Sequence, residues 1–255
     1  MLGAYDSNRR RHMTTGLLLL HGFPLDSEMW ASQIAGLRDT GSVVAVDLPG
    51  FGGAPLAPRE GWMDAAAAAA AEALRKAGVD RAVVCGLSMG GYVAFSFWRR
   101  HRALVAGLVL ANTKSGGDDE AGKQRREDLA KRVRAEGNGF LVASPPPLLS
   151  DHASPDLRLH IQRQIGRQPV EAIAIASQAM ADRVDSTPVL GGIDVPTLVI
   201  TSSADTLIPP EATKPMASQI PGATLAVIEG AGHLSNLEAP DEFNRLLREH
   251  LRHCG

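Results

Sequence analysis

With only two cysteines among 255 residues, disulfides cannot carry this chain's stability. Cys85 sits in the apolar run Ala82-Val83-Val84-Cys85, where a thiol behaves as a small hydrophobe, and Cys254 is next to the C-terminus. A bridge from a buried strand to the chain end is not expected, and no Cys/His spacing suits zinc. This cysteine usage fits a reducing compartment, so a cytoplasmic location is expected. An excess of charge of either sign is also missing. Lys and Arg number 26 against 28 Asp and Glu, for a net charge of −2. That leaves no electrostatic footprint for phosphate backbones or anionic lipid, so neither nucleic acid nor membrane is expected as a partner. No apolar run reaches the roughly 18 residues of a transmembrane helix, and Leu17–Leu20 is too short for a signal peptide. Residues 1–12, which include Arg9-Arg10-Arg11, read as an upstream leader or an added extension and stay outside the fold argument.

What is present is the balance of a folded globular protein, with 44% hydrophobic and 21% charged residues. Length alone allows one large α/β domain or two small ones. The pattern along the chain decides between them. Short apolar runs at 17–20, 42–46, 79–85 and 104–111 alternate with helical stretches at 27–38, 62–76 and 89–102. Strands apolar at every position, each followed by a helix, imply a mostly parallel central sheet with helices on both faces. The stretch at 62–76 contains seven consecutive alanines, Ala65 to Ala71, which favour a helix lying close against the sheet. From Asn112 to about Gly192 the strands stop, and helical patterns recur at 118–136, 156–165 and 170–183. Alternation resumes with strands at 197–201 and 224–228 and helices at 211–219 and 240–252. The expected organisation is a core of residues 13–112 and 193–255, with residues 113–192 inserted as a helical cap after the fourth strand. An insertion at the C-terminal ends of the strands lies over the place where such sheets bind ligands.

The strongest chemical signal is Gly86-Leu87-Ser88-Met89-Gly90, placed where an apolar strand ends and a helix begins. A nucleophile at the tip of so sharp a turn needs small residues two positions away on each side. A turn of this composition can be purely structural, but the strand before it and the helix after it favour the nucleophile. A serine hydroxyl needs a base, usually a histidine held by a carboxylate. Of eight histidines, only His21 and His233 lie in loops just after strands of the sheet domain, and His233 follows the flexible Gly230-Ala231-Gly232. Asp205 follows the strand at 197–201. It also suits a turn or helix cap, but the order Ser88, Asp205, His233, each after its own strand, favours the orienting acid.

These residues, with Leu20-His21-Gly22-Phe23-Pro24, Asp47-Leu48-Pro49-Gly50-Phe51-Gly52 and Gly232-His233 ahead of Glu238 and Pro240, resemble the α/β-hydrolase family from Leu17 to Leu251. Within it the elbow is most similar to cofactor-free carboxylesterases and 3-oxoadipate enol-lactone hydrolases. The resemblance implies that the backbone N–H groups of Phe23 and Met89 form the oxyanion hole and that His21 shapes its loop. It also implies a catalytic triad of Ser88, His233 and Asp205, with no metal and no cofactor. Two departures stand out. Few residues precede Leu17, so the N-terminal edge hairpin of the family is expected to be shortened or absent. Ser202 stands where glycine is common, three residues before the acid.

The expected function is hydrolysis of a small-molecule ester or lactone through an acyl-enzyme. The alternatives are a C–C bond hydrolase acting on a vinylogous diketone and a small-molecule receptor that retains the fold. Trp30, Phe140 and Leu141 are candidate substrate contacts. The mixed charges from Asp118 to Glu136 read as a solvated cap face, and Arg158, Arg163, Arg167 and Arg183 could pair with an acidic substrate but are expected to face water. Pro49–Gly53 lacks the Lys-Ser/Thr and helix of a phosphate loop. Oligomeric state is not legible.

Overall fold

Runs such as Leu17–Leu20 are apolar at every position because both faces of the sheet they form are covered. In a computed structural model, which describes residues 13–254, six strands build that sheet. They are β1 (Thr15–Leu20), β2 (Val43–Val46), β3 (Arg81–Leu87), β4 (Val105–Ala111), β5 (Thr197–Ser202) and β6 (Thr224–Ile228). The order is β2-β1-β3-β4-β5-β6, and every pairing is parallel. Among the described residues no hairpin precedes β1, so β2 and β6 are the edges. The leader or extension expected at residues 1–12 lies outside the described residues.

Ten α-helices complete the described residues: α1 (Ala31–Gly36), α2 (Trp62–Lys76), α3 (Met89–Arg100), α4 (Glu120–Glu136), α5 (Gly139–Ala143), α6 (Pro155–Arg167), α7 (Val170–Ala181), α8 (Pro210–Gln219), α9 (Ser235–Glu238) and α10 (Pro240–His253). The alanines of α2 do what their size allows. Ala66, Ala67 and Ala70 are fully buried between Trp62 and Leu74, and the helix packs along α3. Gly78, at φ +68°, ends it. Its N–H donates to Arg75 O and that of Val79 to Leu74 O, the paired closing bonds of a left-handed helix stop. In α10, Phe243, Leu246, Leu247 and His250 form one buried face at helical spacing.

One expected helix is broken. Residues 27–38 split into a 3₁₀ turn (Ser27–Trp30) and α1, with a second 3₁₀ turn at Arg38–Thr40. Asp26 caps the first turn through Glu28 N–H at 3.1 Å. Met29 and Trp30, adjacent in sequence, are both fully buried, and Trp30 leaves helical geometry at φ −94° and ψ 7°. Tertiary burial overrides the helical propensity of this segment.

Helices α4 to α7 lie between β4 and β5, with α4 against α7 and α5 against α6. The two ends of this inserted segment meet. Ser186 N–H donates to Ser115 O at 3.0 Å, and the hydroxyls of Ser115 and Thr187 are 3.0 Å apart.

At the opposite end of the strands, His250 is buried beside Gly107 with Cys254 Sγ 3.5 Å from its Nε2. Burial, helped by His253, pushes its pKa down to about 4 from an ordinary value of 6.5. The unfolded chain therefore takes up a proton below pH 6.5 that the folded chain refuses until about pH 4. The stabilisation is complete above pH 6.5 and is lost as pH falls through that window. At about 1.4 kcal/mol per unit, the wild type should lose about 2 kcal/mol more than His250→Gln between pH 7 and 4.5. Urea unfolding at the two pH values reads this difference, and equal losses would refute it.

Candidate active site

β3 ends at Leu87 and α3 starts at Met89, so Ser88 alone makes the reversal, at φ 55° and ψ −116°. Such a conformation costs a serine about 1–3 kcal/mol and persists only where the surroundings hold it. Here Ser88 N–H donates to Ala111 O at 2.9 Å, and Ser88 O accepts from Gly91 N–H at 2.9 Å and Thr113 Oγ1 at 2.8 Å. The flanking glycines are a steric requirement. A methyl at Gly86 would overlap the Gly90 carbonyl, and one at Gly90 would overlap the Leu20 carbonyl.

Asp205 follows β5 and is 2% exposed. Its Oδ1 accepts from the N–H groups of Leu207 and Ile208, each at 2.9 Å. Its Oδ2 is 2.8 Å from His233 Nδ1 and accepts from Asn112 Nδ2 at 2.9 Å. His233 is itself 1% exposed, and Nε2 has no hydrogen-bond partner among the described residues, Ser88 Oγ included. The structure thus joins Asp205 to His233 directly and leaves the serine unbonded to the imidazole, a contact that in such sites often tightens only with substrate in place. The loop carrying His233 is pinned from outside. Glu238 accepts from Gly232 N–H at 2.8 Å and from Ser150 Oγ at 2.5 Å, and Leu234 N–H donates to Leu148 O at 2.9 Å.

Met89 opens α3, where the first N–H groups lack an intrahelical acceptor. Phe23 faces the same cleft as Ser88, and a cis bond joins it to the following Pro24. His21 is fully buried. Its Nε2 accepts from Leu48 N–H at 2.9 Å, so the proton sits on Nδ1, which donates to Gly22 O at 3.0 Å. Burial lowers its pKa, and with both nitrogens engaged it holds the loop and has no free site for proton exchange.

The Ser88 cleft encloses about 330 Å³. Phe23, Leu129, Leu148, Met180 and Ile208 give it apolar walls, and Tyr92 also lines it. Lys114, Asp118, Arg125 and Arg126 bring charge to it. A larger depression of about 700 Å³ lies by the N-terminal ends of β5 and β6, beside Pro196 and His250, and no serine or cysteine lines it. The three residues expected to touch substrate lie elsewhere. Trp30 is fully buried with its ring 6.0 Å from that of Phe243, so it belongs to the core. Leu141 is buried inside the cap, and Phe140 stacks under the Arg132 guanidinium at 3.8 Å.

Two charge assignments are corrected. Asp118 and Arg126 turn inward instead of facing water. The Asp118 side chain, 7% exposed, accepts from Arg183 at 2.8 Å and Arg126 at 2.5 Å, with Lys114 at 3.2 Å. Burial alone would raise its pKa, but the two guanidiniums hold it well below the usual carboxylate range. Arg183 is 4% exposed at its side chain, because it also donates to the carbonyls of Met180 and Gly116 and lies over the Tyr92 ring. Of the other arginines expected in water, Arg158 donates to Ser150 O and Arg167 pairs with Asp26.

Sequence reasoning passed over Asn112, which marked only the end of β4. It is fully buried at φ 43°, a value asparagine tolerates better than most residues. Nδ2 reaches Asp205 and, at 2.5 Å, Ser202 Oγ, while Oδ1 accepts from Ser235 Oγ at 2.6 Å. Ser202 passes the chain on to Gly232 O at 2.5 Å, which gives the serine a role where glycine was expected. The available signal was its position, one residue beyond a parallel strand and beside the elbow strand.

The sequence model of the alpha/beta hydrolase family matches residues 17–246, and the chain belongs to that family. It is 30% identical over 250 residues to a pimeloyl-[acyl-carrier protein] methyl ester esterase from Neisseria meningitidis, covering 91% of each. It is also 30% identical to the dihydrolipoyllysine-residue acetyltransferase component of an acetoin cleaving system from Cupriavidus necator, where it spans 92% of this chain but only 63% of that longer protein. Among solved structures, a thermophilic esterase from Thermogutta terrifontis with malate bound superposes with a TM-score of 0.88 at 38% identity, over 94% of this chain and 90% of that one. An enol-lactonase from Burkholderia xenovorans LB400 gives 0.82 at 25%, over 95% and 93%. The chain is thus an α/β-hydrolase similar to esterases and enol-lactonases. Among the described residues no helix is long and apolar enough to cross a membrane.

Asn112→Gly removes the side chain without straining the backbone. The expected result is a fall in kcat of about tenfold or more with little change in KM, since the loss loosens Asp205 and leaves the cleft walls intact. Steady-state kinetics on an aryl ester decide it, and an unchanged kcat would refute the positioning role.

Proposed function

We propose that the protein is a serine hydrolase that cleaves a small carboxylic ester or lactone through an acyl-enzyme on Ser88. The observation that carries this reading is the His233 imidazole, fixed through Nδ1 by a buried carboxylate while Nε2 is unpartnered. An imidazole so held has its Nδ1–H committed to Asp205 and its Nε2 lone pair available. Ser88 Oγ attacks the carbonyl carbon as its proton passes to Nε2, and the carbonyl π pair moves to oxygen. The N–H groups of Phe23 and Met89 receive that oxyanion, each contributing about 3 kcal/mol to the transition state. Collapse expels the alkoxide, which takes the proton from His233. Water then adds to the acyl carbon, giving its proton to Nε2, and the second collapse returns it to Ser88 as the acid leaves.

On this reading residues 113–192 act as the cap that sizes the cleft, and residues 13–112 with 193–255 carry the chemistry. Every proton and electron pair comes from these groups, the ester and water, so the mechanism calls on neither metal nor cofactor. The relatives named for esters and an enol-lactone favour the same bond class.

Ser88→Ala should lower kcat for a short-chain aryl ester by about 10⁴-fold or more while leaving the fold intact. Initial rates beside a circular dichroism spectrum test this. A folded variant that keeps more than a trace of activity would overturn the assignment.

A further inference from the structure

Charge around the cleft is unbalanced. Lys114, Arg125 and Arg126 line it, against one carboxylate, Asp118. That carboxylate is already spent. Its Oδ1 is met by Arg183 and Lys114 and its Oδ2 by Arg126. Arg183 is held inside the protein over Tyr92, so by itself it neutralises Asp118 and leaves the charges of Lys114 and Arg126 in excess. Arg125 goes further. It is exposed at the rim and has no hydrogen bond or ion pair among the described residues. The remaining walls are mostly apolar, which lowers the local dielectric and strengthens any charge pair formed there.

A guanidinium presents two parallel donors that match a carboxylate, and an ammonium adds a compact charge. We propose that Lys114, Arg125 and Arg126 form an anion-selecting rim, and that the preferred substrates are small esters carrying a free carboxylate. This inference rests on the Ser88 reading above. The carboxylate lies at the rim while the ester carbonyl faces Ser88 within the same cleft. Asp118 sets the rim by fixing Lys114 and Arg126, and Arg183 keeps Asp118 from repelling the substrate.

The test compares kcat/KM for the half-ethyl esters of succinic, glutaric and adipic acids with that for uncharged ethyl esters of matching carbon count. Acetoxy acids, which carry the carboxylate on the alcohol side, form a second series. The wild type should prefer the charged member of at least one series, and added salt should weaken the preference. Arg125→Gln and Lys114→Gln should each lower the charged-to-neutral ratio roughly tenfold. Arg163→Gln, which alters an exposed arginine outside the cleft lining, should leave the ratio unchanged. Hydrolysis of neutral esters with no preference for charge would overturn the rim and leave Ser88 standing. A preference that survives both rim substitutions, or that Arg163→Gln also removes, would overturn the assignment to these side chains. No hydrolysis in any series would instead count against the Ser88 reading itself.

Discussion

Burying a carboxylate at 2% exposure costs several kcal/mol unless donors meet its oxygens, and Asp205 meets that requirement with groups drawn from three loops. Leu207 and Ile208 N–H come from its own loop after β5, Asn112 from the end of β4, and His233 from the loop after β6. Losing any donor leaves the buried carboxylate less compensated, which favours keeping the three strand ends in mutual register. Asn112 extends the lock to Ser235 and Ser202, and through Ala111 and Thr113, its neighbours in the chain, to the elbow of Ser88. One buried group thus ties together the carboxyl ends of β3, β4, β5 and β6.

The two halves of the molecule solve different problems. The core supplies rigidity: a parallel sheet buried on both faces and glycines at the elbow packed so tightly that a side chain at either would clash with backbone. Residues 113–192 supply the charged side chains that line the Ser88 cleft. Their first and last segments are joined by the buried Asp118–Arg183 pair, 65 residues apart, so the cleft wall closes on itself before meeting the core. A buried ion pair adds little net stability but fixes registry, here between the two ends of residues 113–192. Here the same pair also governs which charges face the cleft.

The strands were legible because complete burial writes itself as unbroken apolar runs, and the positions of Ser88, Asp205 and His233 because each stands just beyond one of them. The cap was legible as helices and opaque as a surface. Helical spacing says that the helical patterns at 156–165 and 170–183 each bury an apolar face, but it does not say against what. Mixed charges from Asp118 to Glu136 look solvated in sequence, yet Asp118 and Arg126 turn inward because Arg183, more than fifty residues downstream of both, is there to meet the carboxylate. Trp30 was misplaced for the converse reason. A tryptophan after a strand-end loop suggests a pocket wall, but its partner is Phe243 near the far end of the chain. Asn112 carries no motif, and its importance follows only from which strands become neighbours.

The central claim is that the Asp205 network makes Ser88 the reactive serine of the chain. Labelling with a fluorophosphonate probe, followed by peptide mapping by mass spectrometry, reads it directly, with Asp205→Asn run beside the wild type. The account predicts one adduct, on the peptide containing Ser88, forming far more slowly in the variant. An adduct on another residue, or equal rates in the two proteins, would contradict it.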